Sequence, residues 1–339
     1  MTRTYDIAVL GATGAVGETI LSILAERGLP IGKLYPLASQ NSQGKVVMFN
    51  EKAHRVLNAA DFDFSLVEIA LFSAGGSVSA VYAPKAAEAG CIVIDNTSCF
   101  RYDTDVPLVI PEVNPEKIAD YRARNIIANP NCSTIQMLVA LKPIYDAVGI
   151  SRINVATYQS VSGAGSKGVT ELAGQTAKIL NGEASEPRVF SRQIAFNILP
   201  QIDAFQDNGY TYEEMKMVWE TQKIFGDDQI LVNPTAVRVP VFYGHSEALH
   251  IETRSKLSAS DARELLLGAP GIILLDDADY PTAVTHAAEE DAVYISRVRE
   301  DISHPLGLNL WVVADNIRKG AALNAVQIAE ILMETYLDD

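Results

Sequence analysis

Residues 5–28, YDIAVLGATGAVGETILSILAERG, constrain the fold most strongly, because a glycine turn there joins a β-type run to an amphipathic helix. The turn carries Gly11, Gly14 and Gly17. Glycines at such a turn let the backbone approach a pyrophosphate, and the phosphates bind the N–H groups that open the helix. The segment predicts a dinucleotide-binding unit, with a plain strand-to-helix connection as the alternative.

The choice of nucleotide depends on residues 33–45, KLYPLASQNSQGK, which follow the glycine turn. An NAD-specific site usually has an Asp or Glu about 20 residues after the glycines, where the carboxylate binds the ribose hydroxyls. This segment contains no acid. The residues that we expect around a 2′-phosphate are Ser39, Asn41, Ser42 and Lys45. The pattern favours NADP over NAD, with a polar turn before the next strand as the alternative.

A second strand–loop–helix pattern follows the first. Residues 67–72 form a buried-type apolar run, and the helix of residues 78–89 comes after it. The loop between them contains Ser73, Gly75 and Gly76, and small residues there suit a dinucleotide that crosses the sheet edge. The repeated pattern predicts a doubly wound α/β unit, which is a mainly parallel sheet with helices on both faces.

Length, charge and cysteine content exclude several classes of protein. A chain of 339 residues favours two domains. A net charge of −15 argues against nucleic acid or an anionic membrane surface as partner, because both require clustered Lys and Arg. No apolar run approaches the roughly 18–20 residues of a membrane span, and we expect no signal peptide. The three cysteines show no metal-binding or disulfide spacing, so we expect no metal site and a cytoplasmic location.

The stretch NPNCST places Cys132 before an apolar run. Pro130 disfavours helix at Asn129, so a helix that begins near Ser133 would carry the thiol at its N-terminus. Unpaired N–H groups there stabilise a thiolate, which is the reactive form. Beside a nicotinamide, such a thiol forms a thioester from an acyl phosphate or a thiohemiacetal from an aldehyde. A semi-buried structural cysteine is the alternative, and we expect that role for Cys91 in its apolar strand.

Chemistry of this kind requires an acid/base and anion clamps. His245 follows a glycine after an apolar strand, where a side chain emerges at a sheet end. Arg238 interrupts an apolar strand and therefore requires an anion, either a protein acid or a substrate carboxylate. Arg101 and Lys223 are candidates for binding phosphate, although most such side chains are solvated. Glu220 lies three residues before Lys223, and a surface ion pair is the default interpretation of the two.

The chain as a whole resembles the aspartate-β-semialdehyde dehydrogenases. The motifs that carry the resemblance occur in order over essentially the whole chain: GATGAVG, FSAGG, VIDNTSCFR, PEVNP, NPNCST, YQSVSGAG, ETQKI, RVPVFYGHSE and VADNIRKGAA. The resemblance implies NADPH-dependent reduction of L-aspartyl 4-phosphate to aspartate 4-semialdehyde, with release of phosphate. This step serves the synthesis of lysine, threonine, methionine and diaminopimelate.

The resemblance also implies roles for individual residues. Cys132 would be the acylated nucleophile, His245 the acid/base, and Gln159 the residue that orients the acyl intermediate. Arg238 would bind the substrate α-carboxylate and Glu220 its ammonium, which replaces the surface-pair interpretation. The phosphate contacts would be Arg101, Lys223 and Asn131. The cofactor contacts would be Gly11, Thr13, Gly14, Ala15, Val16, Ser39, Asn41, Ser42, Ser73, Gly75, Gly76, Ser162, Gly163 and Asn316.

The architecture implied by the resemblance has two domains and a homodimer. Residues 1–131 would bind the cofactor, and residues 132–316 would form a mixed α/β catalytic and dimerisation domain. The C-terminal helix, residues 317–339, would pack back on the first domain. The expected ligands are a small-molecule substrate and phosphate.

Three positions depart from the family pattern. Asn41 stands where the family typically has Arg, which leaves NAD use open. Cys99 stands where a small residue is more frequent and is a liability for oxidation. We have no interpretation of Lys167.

Two other functions remain open at this point. A reductase of another acyl phosphate, such as N-acetyl-glutamyl phosphate, would share fold and chemistry, but an N-acetylated substrate offers no ammonium to Glu220. A non-catalytic paralogue acting as a binding protein is expected to lose the thiol and its partners, whereas Cys132, Gln159, Arg238 and His245 are all present.

Overall fold

The computed structural model describes residues 3–337, which divide into two compact units. The first comprises residues 3–130 and 321–337, and the second is Asn131–Gly320. The α-helices are α1 Ala15–Glu26, α2 Gly76–Glu88, α3 Cys132–Val148, α4 Ser166–Leu180, α5 Tyr212–Phe225, α6 Ala259–Leu266 and α7 Leu323–Ile331. Within residues 3–337, no helix has the length and apolar character needed to cross a membrane.

The first unit is built on a parallel sheet. Its strands are β1 Tyr5–Leu10, β2 Ile31–Ala38, β3 Val46–Phe49, β4 Lys52–Arg55, β5 Leu57–Asn58, β6 Ile69–Phe72, β7 Ile92–Asp95 and β8 Ile126–Ala128. Among the described residues, six of them form the sheet in the order β5-β2-β1-β6-β7-β8, and every neighbouring pair is parallel. Strands β3 and β4 form a separate antiparallel pair. The predicted doubly wound arrangement is confirmed.

The core of the first unit joins the sheet to α1 and α7. Ile20 and Leu24 of α1 and Val326 and Ile328 of α7 are buried in one cluster with the strands. Fully burying an apolar side chain of this size contributes roughly 1.5–3 kcal/mol, so the apolar faces of the two helices hold them on the sheet. The C-terminal helix therefore belongs to the first unit, although the second unit separates it from β8 in the sequence.

The second unit is built on a mixed sheet. Its strands are β9 Ile150–Gln159, β10 Leu231–Arg238, β11 His245–Thr253, β12 Ile272–Leu274, β13 Val293–Glu300 and β14 Gly307–Ala314. Within Asn131–Gly320, they lie in the order β10-β9-β11-β14-β13-β12. Strands β9 and β10 are parallel, with Gln159 opposite Arg238, and β11 runs antiparallel to both β9 and β14. The carboxyl ends of β9 and β10 and the start of β11 therefore meet at one sheet edge.

Candidate active site

Cys132 is the first residue of α3, one position earlier than expected. Asn131 caps the helix, since its Oδ1 accepts hydrogen bonds from the backbone N–H groups of Ser133 and Thr134 at 3.0 and 3.4 Å. Cys132 is partly exposed. A Cβ on Gly320 would lie 2.7 Å from the Cys132 Cβ, so only glycine allows this approach to the thiol-bearing residue. The structure thus holds a cysteine at the positive end of a 17-residue helix.

Three residues predicted for the site lie at the sheet edge where β9, β10 and β11 meet. Gln159 ends β9, Arg238 ends β10 and His245 begins β11. The Arg238 Nη1 donates to the Ser160 carbonyl at 2.8 Å, and the side chain is buried. Burial lowers the pKa of Arg238, while the negative charges of Glu213 and Cys132 favour its charged form. The guanidinium therefore interacts electrostatically with the thiol and requires an anion at this edge.

The imidazole of His245 is fully buried and fixed by Ser160. The backbone N–H of Ser160 donates to Nδ1 at 3.1 Å, and the Ser160 Oγ lies 3.1 Å from the same nitrogen. With Nδ1 accepting, the neutral ring carries its proton on Nε2, which has no hydrogen-bond partner among the described residues. Burial and then the charge of Arg238 lower the pKa of His245 to about 3. The ring is therefore neutral at neutral pH, and its Nε2–H is free for a ligand.

The amide of Asn316 holds the loops around His245. Its Oδ1 accepts from the hydroxyls of Ser160 and Ser162, both at 3.1 Å, and from the backbone N–H of Gly244 at 2.9 Å. Ser162 and Asn316, both predicted as cofactor contacts, thus lie in one hydrogen-bonded cluster beside the histidine. A Cβ on Gly163 would lie 2.7 Å from Arg238 Nη1, so glycine at this position leaves room for the guanidinium.

The helix α5 brings acids into the site. Glu220 is fully buried, and its Oε2 accepts from the backbone N–H of Asn131 at 2.7 Å. The default interpretation of Glu220 and Lys223 as a surface ion pair is therefore wrong: Glu220 faces the start of α3 and Lys223 is half-buried. Glu220 became a site residue only through the resemblance.

Sequence reasoning missed a second buried acid, Glu213. Its Oε1 accepts from Asn131 Nδ2 at 3.0 Å and from Gln159 Nε2 at 3.2 Å, and its Oε2 accepts from Lys216 Nζ at 2.9 Å. Burial alone raises the pKa of Glu213, but the Lys216 ammonium and hydrogen bonds from Lys216 and Asn131 lower it to about 2. The available signal was the seven-residue spacing from Glu220, which places both acids on one helix face.

A cavity of about 440 Å³ opens beside Arg238 in the second unit. It is lined by Ala164, Val189, Phe190, Ser191, Gln201, Ile202, Asp203 and Arg238. The lining carries one cation, Arg238, and one acid, Asp203, which is paired with Lys216. The cavity therefore offers a guanidinium to a small ligand that carries a carboxylate or phosphate.

In the first unit, the predicted cofactor loops follow adjacent parallel strands. Gly11 follows β1 and has φ +93°, and a Cβ there would lie 2.8 Å from the Oγ of Ser73, which follows β6. A Cβ on Gly17 would lie 2.1 Å from the carbonyl oxygen of Gly11. Glycine is thus required where the loop and helix approach closely, as a dinucleotide-binding turn demands.

The N-terminus of α1 fits a phosphate. Gly14 is its N-cap residue and has no side chain to cap the first N–H groups at Ala15 and Val16. Gly75, with φ +96°, leaves the N-terminus of α2 uncapped in the same way. Backbone N–H groups at uncapped helix starts are donors for a pyrophosphate. The first unit therefore fits a dinucleotide.

The loop predicted for the 2′-phosphate lies against the glycine turn. Thr13 Oγ1 and Ser42 Oγ are 3.5 Å apart. The turn Gln40–Ser42 offers hydroxyl and amide donors and, as the sequence shows, no cation. This arrangement accommodates a phosphate or a ribose hydroxyl.

The other predicted positions are less informative. Arg101 lies in the first unit, where its Nη2 donates to the Asn96 carbonyl at 3.0 Å, and its phosphate role stays a prediction. Cys99 is partly exposed, and burial together with nearby Asp95 and Asp103 raises its pKa. Its liability for oxidation stays a prediction. Lys167 is exposed near the start of α4.

Comparisons with known proteins cover both units. The family model described as semialdehyde dehydrogenase, NAD binding domain, matches residues 6–121. The model described as semialdehyde dehydrogenase, dimerisation domain, matches residues 141–319. An aspartate-semialdehyde dehydrogenase of a Shewanella species is 67% identical over 99% of this chain and 100% of its own length.

Solved structures show the same similarity. The crystal structure of aspartate semialdehyde dehydrogenase II from Vibrio cholerae, complexed with ASA, is 65% identical, with a TM-score of 0.98 over 98% of this chain and 99% of that one. The aspartate semialdehyde dehydrogenase from Candida albicans, crystallised with NADP, is 25% identical, with a TM-score of 0.77 over 97% of this chain and 98% of that one.

Proposed function

Because the chain belongs to the aspartate-semialdehyde dehydrogenase family, we propose that it reduces L-aspartyl 4-phosphate to L-aspartate 4-semialdehyde through an acyl thioester on Cys132. Phosphate is released, and the product serves lysine, threonine, methionine and diaminopimelate synthesis. The observation that carries the proposal is the placement of a cysteine at a helix N-terminus, in electrostatic contact with the buried Arg238. Both features favour the thiolate that the reaction requires.

The first step would be attack of the Cys132 thiolate on the acyl carbon. The carbon–sulfur bond forms, the bond to phosphate oxygen breaks, and phosphate leaves with that electron pair. Negative charge develops on the carbonyl oxygen, and the free Nε2–H of His245 is the donor available to it. We assign phosphate binding to Asn131 and Lys223 of the second unit. We also assign it to Arg101 of the first unit.

The second step is reduction of the thioester. When bound, the nicotinamide cofactor supplies a hydride to the acyl carbon. The resulting oxyanion collapses to the aldehyde, and the sulfur leaves as thiolate. His245 would act as the acid/base here, because a bound anion raises the pKa of a buried imidazole from its low value in the free enzyme.

Substrate selectivity would come from a pair of opposite charges. Arg238 binds the α-carboxylate, since its guanidinium is buried beside a cavity and buried positive charge favours an anionic ligand there. Glu220 binds the α-ammonium. An N-acetylated acyl phosphate offers no ammonium to this carboxylate, which disfavours the alternative reductase. The retained thiol and its partners disfavour a non-catalytic role.

NADP is the cofactor that we propose, bound by the glycine turn and the loop with Ser39, Asn41 and Ser42. Residues 39–42 contain no cation for the 2′-phosphate, and Asn41 stands where the family typically has Arg, so we expect measurable use of NAD as well. We further propose a homodimer, formed through the second unit, and a cytoplasmic location, where a catalytic thiol stays reduced.

The assay is phosphate-dependent oxidation of aspartate semialdehyde, followed by cofactor absorbance with NADP and NAD in turn. We expect activity with both and a higher kcat/KM with NADP. No activity with either cofactor would contradict the assigned reaction, and equal kcat/KM values would contradict the preference for NADP.

A further inference from the structure

Glu213 lies where two site residues from different elements converge. Its Oε1 accepts from Asn131, which caps the helix of Cys132, and from Gln159, which ends β9. We infer that Glu213 is a positioning residue that fixes the amide of Gln159, so that Gln159 presents only its carbonyl oxygen, a hydrogen-bond acceptor, to the substrate. The inference rests on the proposed function and adds to it the direction of one contact.

The amide nitrogen of Gln159 has no N–H group left to donate to a ligand. Its Nε2 carries two N–H groups. One donates to Glu213 Oε1 and the other to Thr157 Oγ1, both at 3.2 Å. Within residues 3–337, no hydrogen-bond donor reaches the Oε1 of Gln159. Gln159 therefore accepts an N–H or O–H from the bound substrate and donates nothing to the acyl oxygen.

The charge of Glu213 decides this orientation. If the amide of Gln159 turned over, its carbonyl oxygen would face a buried carboxylate oxygen, and two acceptors would lie in contact without a proton. Lys216 keeps Glu213 ionised by donating to Oε2 at 2.9 Å, and Lys216 also donates to Asp203 at 3.1 Å. Because Glu213 is buried, its carboxylate strongly favours an N–H donor over a carbonyl oxygen as neighbour.

The same contact distinguishes Gln159 from Asn131. The Oδ1 of Asn131 accepts the N-cap hydrogen bonds, and the Nδ2 of Asn131 donates one N–H to Glu213. One N–H of Asn131 remains for an anion, whereas Gln159 has none. Glu213 thus assigns the donor role to Asn131 and the acceptor role to Gln159.

The substitution Glu213→Gln tests the inference, and Glu214→Gln is the matched control. The control acid is also buried and one residue away, but it bonds the backbone N–H groups of Thr211 and Ala236 rather than the site. With an amide at 213, its oxygen turns to the Lys216 ammonium and its N–H groups face Gln159, whose amide then turns over.

The first readout is nuclear magnetic resonance of protein labelled with nitrogen-15 in glutamine side chains. We assign the Gln159 carboxamide by its loss in Gln159→Glu. We expect protection from solvent exchange in wild type and in Glu214→Gln, and at least a tenfold loss of protection in Glu213→Gln. Unchanged protection in Glu213→Gln would overturn the inference, whatever reaction the enzyme catalyses. A wild type without activity would contradict the proposed function and leave this readout intact.

The second readout is kinetic. Glu213→Gln should lower kcat by about 10- to 100-fold with little change in the KM for phosphate, because it misplaces a group beside the reacting carbon. Gln159→Glu alone brings two carboxylates together and should lose more. The double variant restores a donor–acceptor pair with an acceptor facing the substrate, so it should recover at least tenfold over Gln159→Glu. If the fold-losses in kcat of the two single variants simply multiply in the double variant, the inference is overturned. Equal thermal midpoints of wild type and variants exclude a general folding defect.

Discussion

Two cysteines of this chain, Cys91 and Cys132, lie in regions of opposite character. Cys91 is fully buried beside the apolar strand β7, where burial raises its pKa well above the ordinary value. Cys132 begins α3, is partly exposed, and interacts with the charge of Arg238. Since the residue type is the same, the proposed function attributes the reactivity of Cys132 to the helix terminus and the surrounding charges.

The two regions also differ in the buried polar groups that surround each cysteine. Around Cys132, the acid Glu213 is ionised because Lys216, Asn131 and Gln159 bond it. Beside Cys91, the strand residues Ile92, Val93 and Ile94 are buried apolar side chains. Buried charge is costly unless it is paired, so the concentration of paired charge marks the region built for chemistry.

Replacing each cysteine with alanine should give the largest difference in activity between the two regions. Cys132→Ala should lower kcat by about 10⁴-fold or more, because no other group replaces the nucleophile. Cys91→Ala should keep kcat within about threefold of wild type and lower the free energy of unfolding by about 1 kcal/mol. The measurements are the oxidation assay and denaturant unfolding. A similar loss of activity in both variants would contradict the assignment.

Alkylation rates compare the two thiols without any substrate. Iodoacetamide should modify Cys132 about 10³-fold faster than Cys91 at neutral pH, because one is accessible at a helix N-terminus and the other is buried. Peptide mass spectrometry over time measures both rates in one sample. Comparable rates would show that the region around Cys132 does not favour the thiolate.

Arg238→Lys sharpens the electrostatic part of the comparison. Lysine keeps the charge but loses the planar fork that binds a carboxylate, so kcat/KM for aspartate semialdehyde should fall by about 10²-fold. The labelling rate of Cys132 should change little, since the positive charge remains. A fall in labelling as large as the fall in kcat/KM would assign Arg238 to the thiol rather than to the substrate.

Acid should destabilise the region around Cys132 through His245. The folded-state pKa of about 3 lies below the ordinary 6.5, so the neutral imidazole contributes stability that is present above pH 6.5 and is lost as pH falls toward 3. Within that window, each pH unit should cost about 1.4 kcal/mol relative to His245→Asn, which lacks the titrating group. Denaturant unfolding from pH 7 to pH 4 checks this. Parallel pH profiles of the two proteins would contradict it.

The features that the sequence predicted best depend on residues close together in the chain. The glycine turn requires Gly11 and Gly17 for close backbone contacts, and such contacts leave a pattern within a few residues. The helix that begins at Cys132 was visible in the same way, through Pro130 and the apolar run that follows.

Contacts between distant segments were beyond local reasoning. Glu213 bonds Gln159 from 54 residues away, and Asn316 bonds Ser160 from 156 residues away. The seven-residue spacing from Glu220 places Glu213 on the same helix face, but this spacing alone does not show that the face is buried against the sheet. Burial of Glu220 was missed for the same reason, and family resemblance supplied what local pattern did not.

The thioester on Cys132 is the central claim, and a phosphate-free burst experiment tests it most directly. Wild type and Cys132→Ala are mixed with aspartate semialdehyde and NADP without phosphate, then quenched and mapped by mass spectrometry. We predict a burst of about one equivalent of reduced cofactor per chain and an aspartyl adduct on the Cys132 peptide in wild type, with neither in the variant. A full burst in Cys132→Ala, or an adduct on another residue, would contradict the account.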